Sequence, residues 1–238
     1  MSLTMAELHA GELTVLGQLV DASNGSLLCT LDGLGADPGP AVVYKPQAGE
    51  RPLWDFPTGT LSQREVAAFV VADTLNWPIV PPTVWRDGPF GPGMVQEWVD
   101  VDPEVDIVAL VQSERDDLRR IAVFDAVVNN GDRKGSHLLP TPDGEVWGID
   151  HGVTFAVDDK LRTVLWQWRG LPIPTELIED LTRWLRSWPE EQGPAARLAE
   201  FLSRQEIAAV AGRAEALLAH RQHPQPSPDW PAIPWPPF

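Results

Sequence analysis

Cysteine is almost missing from this chain: Cys29 stands alone among 238 residues. No intrachain disulfide and no zinc site built on several cysteines can form, and a reducing compartment is the simplest setting. Lysine is nearly as rare, with Lys45, Lys134 and Lys160 the only three among 18 basic residues. A chain that writes its positive charge as arginine marks each lysine for inspection. Positive charge is itself in deficit, since 34 Asp and Glu against 18 Lys and Arg leave a net charge of −16 at pH 7. Such a surface repels polyphosphate backbones and anionic headgroups, so neither nucleic acid nor a membrane is expected as a partner. No apolar run approaches the length of a membrane span, and Met1-Ser2-Leu3-Thr4-Met5-Ala6-Glu7 lacks the basic-then-apolar order of a leader. The expected location is the cytoplasm. Apolar residues still make up 43%, enough to bury a core in one large domain or two lobes.

Strand-forming residues dominate the first hundred positions. Strands are expected over 13–20, 26–31 and 41–45, with a turn at Ala22-Ser23-Asn24-Gly25 and a Gly/Asp/Pro-rich loop over 32–40. Cys29 reads as a small hydrophobe on the second strand. A helix is expected over 61–77, capped by Ser62 with Glu65 three residues on, carrying Val66, Phe69, Val70 and Leu75 on its apolar face and stopped by Pro78. Val84-Trp85 and residues 93–99 suggest two further strands. Past Asp102-Pro103, helical periodicity takes over. Helices are expected over 113–130, opened by Ser113 with Asp116 and Asp117 near its start, and over 175–188 and 203–220, the last with a Ser203/Glu206 capping box. One hairpin, 137–139 against 146–149, interrupts them. Trp166, Trp168, Trp184 and Trp188 read as core and lobe packing, with a substrate surface as the alternative. Seven prolines in the final fifteen residues predict an extended tail on which Trp230, Trp235 and Phe238 can dock. The predicted class is α+β: a β-rich N-lobe with one helix over 1–100, a mainly helical C-lobe holding the hairpin over 101–223, and the proline-rich tail over 224–238.

Chemistry concentrates in residues 129–139, Asn-Asn-Gly-Asp-Arg-Lys-Gly-Ser-His-Leu-Leu. The segment leaves a helix, turns at glycines and enters the hairpin. The open end of that hairpin brings His137 beside Asp150, and Asp132 lies a short loop earlier with Lys134 next to it. Two carboxylates, an imidazole and an ammonium suit phosphoryl transfer, which needs positioning and charge neutralisation more than covalent chemistry. In that reading Asp132 accepts a hydroxyl proton, Asp150 and His137 hold a divalent metal, and Lys134 neutralises charge on the transferred group.

These residues resemble the protein-kinase-like superfamily. Asp132-Arg133-Lys134 with His137 has the spacing of the catalytic loop, where Lys follows Asp by two positions and Asn by five. Asp150-His151-Gly152 looks like the metal-binding Asp-Phe-Gly. The Gly-Asp-Arg opening and short hairpin are more similar to the HipA and phosphoinositide-kinase branches, nearest to small bacterial proteins labelled phosphatidylinositol 3-/4-kinase-like. Over residues 11–155 the resemblance implies further roles. Lys45 would be the nucleotide-contacting lysine of the third strand and Glu65 its helix partner. Gln96 would be the gatekeeper, with the backbones of Glu97 and Val99 facing adenine. ATP with Mg²⁺ or Mn²⁺ is the implied cofactor set and a two-lobed kinase-like fold the implied architecture. Three departures stand beside the match. No Gly-x-Gly-x-x-Gly covers the phosphates, Ser23-Asn24-Gly25-Ser26 being the candidate loop. His137 replaces Asn, which favours Mn²⁺ or a single metal. No segment ending in Ala-Pro-Glu follows Asp150.

Each residue also has a plainer reading. Asp132 and Asp150 suit turns, Glu65 a capping box, His137 a hydrogen-bonded strand histidine, and Lys45 and Lys134 solvated charge. His151 reads as packing or structural hydrogen bonding rather than as a base; Lys160 matches no motif and, with Arg162, reads as solvated or as a minor substrate contact. Three function classes stay open. One is an ATP-dependent phosphotransferase acting on an unidentified hydroxyl of a protein or small molecule rather than a lipid. The others are a nucleotide-binding pseudokinase or interaction module, and a metal-dependent hydrolase using Asp132, His137, Asp150 and His151. Oligomeric state and the choice between phosphate and AMP transfer are not legible in the sequence.

Overall fold

A computed structural model describes residues 3–19 and 25–238. Apart from Gly25 and Ser26, the expected turn and candidate phosphate loop at residues 22–26 lie outside the described residues. The first element is one the sequence does not predict, α1 (Met5–Ala10), started by a reciprocal capping box in which Thr4 and Glu7 satisfy each other's backbone N–H groups. Then β1 (Glu12–Gln18), β2 (Leu27–Asp32) and β3 (Ala41–Pro46) form an antiparallel meander. Strand alternation divides their faces. Val42 and Tyr44 join Leu8, Leu13, Cys29, Leu31, Val84 and Val95 in a small core on one side, leaving Lys45 to face the other. Cys29 is fully buried there, and burial pushes its thiol up to about 11.

Helix α2 (Leu61–Leu75) starts differently from expectation. Thr60 is its N-cap and makes no side-chain cap. The cap comes from Glu50, whose carboxylate accepts the N–H groups of Leu61 at 3.1 Å and Ser62 at 2.7 Å. Glu65 is therefore not needed at the helix start and turns toward β3. Strands β4 (Thr83–Gly88) and β5 (Gly91–Glu97) complete a five-stranded sheet in the order β1-β2-β3-β5-β4. The strand expected to reach Val99 stops at Glu97, whose N–H donates to the Pro82 carbonyl at 2.9 Å; Val99 lies in the loop beyond.

A short α3 (Ile107–Val111) precedes α4 (Asp116–Val128). Ser113 does not cap α4, because its hydroxyl turns back to the Leu110 carbonyl at 2.7 Å and Arg115 takes the N-cap position. After α4 comes a single 3₁₀ turn at Gly135–His137, then the hairpin β6 (Leu138–Pro140) and β7 (Val146–Gly148). His137 thus sits in the turn before the hairpin rather than on its strand. Helices α5 (Thr175–Ser187), α6 (Pro194–Leu198) and α7 (Arg204–His220) follow.

These helices enclose the larger core, and α2 belongs to it. Ala67, Phe69, Val71 and Leu75 of α2 are buried among residues of α4, α5 and α7, and full burial of a large apolar side chain contributes roughly 1.5–3 kcal/mol. Trp168 and Trp184 are core residues as expected; the Trp184 indole donates to Thr74 at 2.8 Å, and the Trp77 indole donates to Asp180 of α5 at the same distance. Three polar residues of α2, Ser62, Arg64 and Glu65, are buried as well. Arg64 donates to the Thr154 carbonyl at 2.7 Å and pairs with Glu206 of α7 at 2.5 Å. Its neighbour Glu65 is only 2% exposed. No helix among the described residues is long and apolar enough to cross a membrane.

Candidate active site

Three separate elements meet at one ion cluster. Lys45 reaches from β3, Glu65 from α2, and Asp150 from the turn after β7. The Lys45 Nζ lies 2.5 Å from Glu65 Oε1 and 3.0 Å from Asp150 Oδ1. Burial alone would lower the lysine pKa, but Asp150 and Glu65 outweigh it and hold the ammonium above the ordinary lysine value. Asp150 answers in the other direction: Lys45 draws its carboxyl far below the usual range against the cost of burial, and His137 helps. Glu65 is pushed up, because its burial exceeds the pull of Lys45. The Asp150 backbone adopts φ +60°, a left-handed conformation that aspartate tolerates at modest cost. Strain is thus held at the residue whose carboxylate is shared.

The other Asp150 oxygen faces His137, with Nε2 at 3.2 Å. Burial lowers the His137 pKa despite Asp150 beside it, so the ring is neutral near pH 7 and donates its Nε2–H to the carboxylate. Around it runs the loop after α4. Asn129 ends α4 in a left-handed conformation, and the buried Asn130 side chain donates to Asp125 at 2.9 Å while accepting the Asp132 N–H at 3.0 Å. Arg133 is the organiser. Fully buried, it pairs with Asp125 at 3.0 Å and donates to the carbonyls of His137 at 3.2 Å and Ile149 at 3.0 Å. Its remaining nitrogen lies 2.7 Å from His151 Nε2. A guanidinium only donates, so His151 must accept on Nε2 and is neutral, which matches a pKa driven well below normal by burial and by Arg133. The His151 backbone N–H donates to Glu65 at 2.8 Å. One network therefore links the loop carrying Asp132 to the helix carrying Glu65.

Arg133 faces inward, which leaves Asp132 and Lys134 outside, paired with each other at 3.0 Å and each 22% exposed. Arg162 adds a second cation, 3.9 Å from Asp132 and anchored by its Nε–H to the Gly131 carbonyl at 2.6 Å. Lys160 is not the solvated residue expected from sequence. It is 12% exposed, pairs with Asp55 at 2.7 Å, and lies 5.3–5.4 Å from the ring centroids of Trp54, Phe56 and Trp230. Asp125, Arg133, Asp55, Lys160 and Arg162 are the site-region residues the sequence did not single out for a role. The one readable signal was Asp125, a carboxylate among the apolar positions of its helix.

At the far end of the sheet, Gln96 is buried and donates to the Thr83 hydroxyl at 2.8 Å. The Glu97 carboxylate accepts the Leu3 N–H at 2.9 Å, so its side chain serves the start of the chain. Val99 is not part of the ion cluster. Asp150 and His137 converge at the site, and among the described residues no group of three or more His, Cys, Asp or Glu is arranged to hold a metal. Mg²⁺ is usually held by one or two carboxylates with phosphates and water, so Asp150 fits such an ion, and His137 would join it by giving up the Nε2 proton it now donates to Asp150.

No family model matches the chain. Among solved structures, the proinflammatory kinase CtkA of Helicobacter pylori superposes with a TM-score of 0.50 over 90% of this chain and 96% of that one, at 11% identity. The chain therefore has a kinase-like fold. In sequence it is 42% identical over 271 aligned residues to protein Rv2133c of Mycobacterium tuberculosis, spanning 98% of this chain and 95% of that protein. It belongs to the Rv2133c family.

Proposed function

We propose that this protein is an ATP-dependent phosphotransferase working with Mg²⁺ or Mn²⁺. The observation that carries the reading is the Lys45–Glu65–Asp150 cluster, in which one lysine is held by two carboxylates from elements up to 105 positions apart. A buried ammonium so fixed is a preorganised partner for nucleotide phosphates, and Glu65 keeps it aimed. Asp150 and His137 would hold the divalent ion, which supplies charge neutralisation on the phosphates; the imidazole donor tilts the choice toward Mn²⁺. Asp132 accepts the proton of the acceptor hydroxyl, and Lys134 neutralises the transferred group. The backbones of Glu97 and Val99, with Gln96 behind them, would receive adenine. An acceptor on a protein or small molecule fits a chain of net charge −16 better than a lipid does.

ATP with either metal should raise the melting temperature of the wild type. Asp132→Asn should abolish transfer while preserving that shift, and Asp150→Ala should remove it. An unmoved melting curve at saturating ATP and metal rejects the nucleotide site. Wild-type turnover by Asp132→Asn rejects the role of Asp132. The histidine at the asparagine position favours one second reading, a nucleotide-binding pseudokinase. That reading gains if ATP binds and no phosphate or AMP reaches any acceptor, the protein itself included.

A further inference from the structure

The segment over 224–238 carries seven prolines, which keep it extended and remove nearly half of its backbone donors. Its carbonyls are used instead. The Ala232 carbonyl accepts from the Thr163 N–H at 3.1 Å and from the Trp166 indole at 2.8 Å, and the Pro237 carbonyl accepts from the Gly135 N–H at 2.8 Å. Those donors belong to the loop that carries Asp132 and Lys134, or to the stretch bridged to it through Arg133 and Thr163. Two rings add anchorage. Trp230 lies 5.3 Å from the Lys160 ammonium and 5.7 Å from the guanidinium of Arg162, the arginine that approaches Asp132. Phe238 rests on Gly135, where a Cβ would collide with the ring. The stretch from Trp230 to Phe238 thus lies along a groove whose wall is the Asp132 loop.

Two features mark this occupant as exchangeable. Residues 228–238 contain no Ser, Thr or Tyr, so nothing in the stretch can be phosphorylated where it lies. Its fit is also incomplete: the Trp230 indole N–H is buried without an acceptor, and Trp235, expected to dock, is 88% exposed. A groove offering N–H donors and flat hydrophobic or cationic surface to the carbonyls of an extended chain is how proline-rich peptides are recognised. We infer that this groove is the acceptor seat for an extended, proline-containing polypeptide, and that the chain's own 228–238 stretch fills it in cis as a hydroxyl-free stand-in. The inference rests on the phosphotransfer reading of Asp132. In the step so served, the polypeptide hydroxyl oxygen bonds to the γ-phosphorus and its proton passes to Asp132. The bond from that phosphorus to the β–γ bridging oxygen breaks, and ADP leaves with the electron pair.

The test uses the full chain carrying Trp230→Ala and Phe238→Ala, with a fluorescein-labelled synthetic peptide of residues 224–238 as probe. Loss of two aromatic anchors should free the groove, so the peptide should bind the variant about ten-fold or more tighter than wild type by anisotropy. ATP hydrolysis with Mn²⁺ should rise as water reaches Asp132. Phe238→Ala alone, changing a ring that is 45% exposed, should move both readings the same way and serves if the double variant does not fold. Peptide binding that is absent or equal in wild type and variant overturns the groove. Tighter peptide binding with unchanged hydrolysis overturns its placement against Asp132. If neither wild type nor variant binds ATP, the phosphotransfer reading fails, and the peptide titration still decides whether the tail is exchangeable.

Discussion

Lys45 and Asp150 each favour the other's charged form, and that mutual dependence makes single substitutions informative. Lys45→Met removes the cation that draws the Asp150 carboxyl down and, in the proposed nucleotide site, the buried partner of the ATP phosphates. A charge-assisted hydrogen bond lost in such a setting costs about 1.5–3 kcal/mol, so ATP affinity should fall at least roughly ten-fold in a calorimetric titration. Undiminished affinity would remove Lys45 from the nucleotide site. The residues of this cluster were legible because Asp132, Lys134, His137 and Asp150 arrive at fixed offsets within one short stretch, and because a lysine-poor chain draws attention to Lys45. Lys160 was not legible. Its partner Asp55 lies 105 positions away and Trp230 sits in the tail, so only tertiary folding assembles the enclosure that buries it. Arg133 shows the opposite failure: it stands between two site residues in sequence, yet its side chain points into the core to pair with Asp125.

Helix α2 is enclosed on nearly every side, which its sequence does not announce. Val66, Phe69, Val70 and Leu75 suggest a single apolar face, but Ser62, Arg64 and Glu65 are buried too, because the sheet covers one side and helices α4 to α7 the other. The fold's polar requirements are met by residues remote in sequence, Glu50 for the helix start and Glu206 with Thr154 for Arg64. Arg64→Ala should therefore be costly, since it leaves the buried Thr154 carbonyl and much of Glu206 without a partner. Removing one member of a buried pair costs about 3–5 kcal/mol, equivalent here to a drop in melting temperature on the order of 10 °C. A melting curve within a degree of wild type would refute the view of Arg64 as the rivet between α2 and α7. The strands and long helices were readable from alternation and periodicity. Helix α1 was not, because six residues give too little periodicity and only the Thr4/Glu7 capping box betrays it.

For the molecule as a whole, the neutral histidines set an acid limit. Burial holds His151 well below its ordinary value and, with Arg119 beside it, His223 at about 4. Both titrate near 6.5 once the chain unfolds. Below that pH the unfolded state binds the extra protons, so the stability they contribute is complete above pH 6.5 and drains away as pH falls toward 4. The melting temperature should decline through that window, and His223→Gln should decline less steeply. Comparing the two proteins at matched pH cancels the effect of discharging an acidic chain. Parallel curves would mean that His223 is not held neutral by the fold.

The lysines carry one last consequence. All three are ion-paired and largely buried, Lys45 at 14%, Lys134 at 22% and Lys160 at 12% exposed. An endoprotease that cuts only after lysine therefore has three addresses in the whole chain: strand β3, the loop of Asp132, and the stretch beneath Trp230. Each cut severs a different wall of the site, and the lysine at the end of each new fragment reports which wall has opened. Rarity turns the site's own cations into a built-in footprint of its opening.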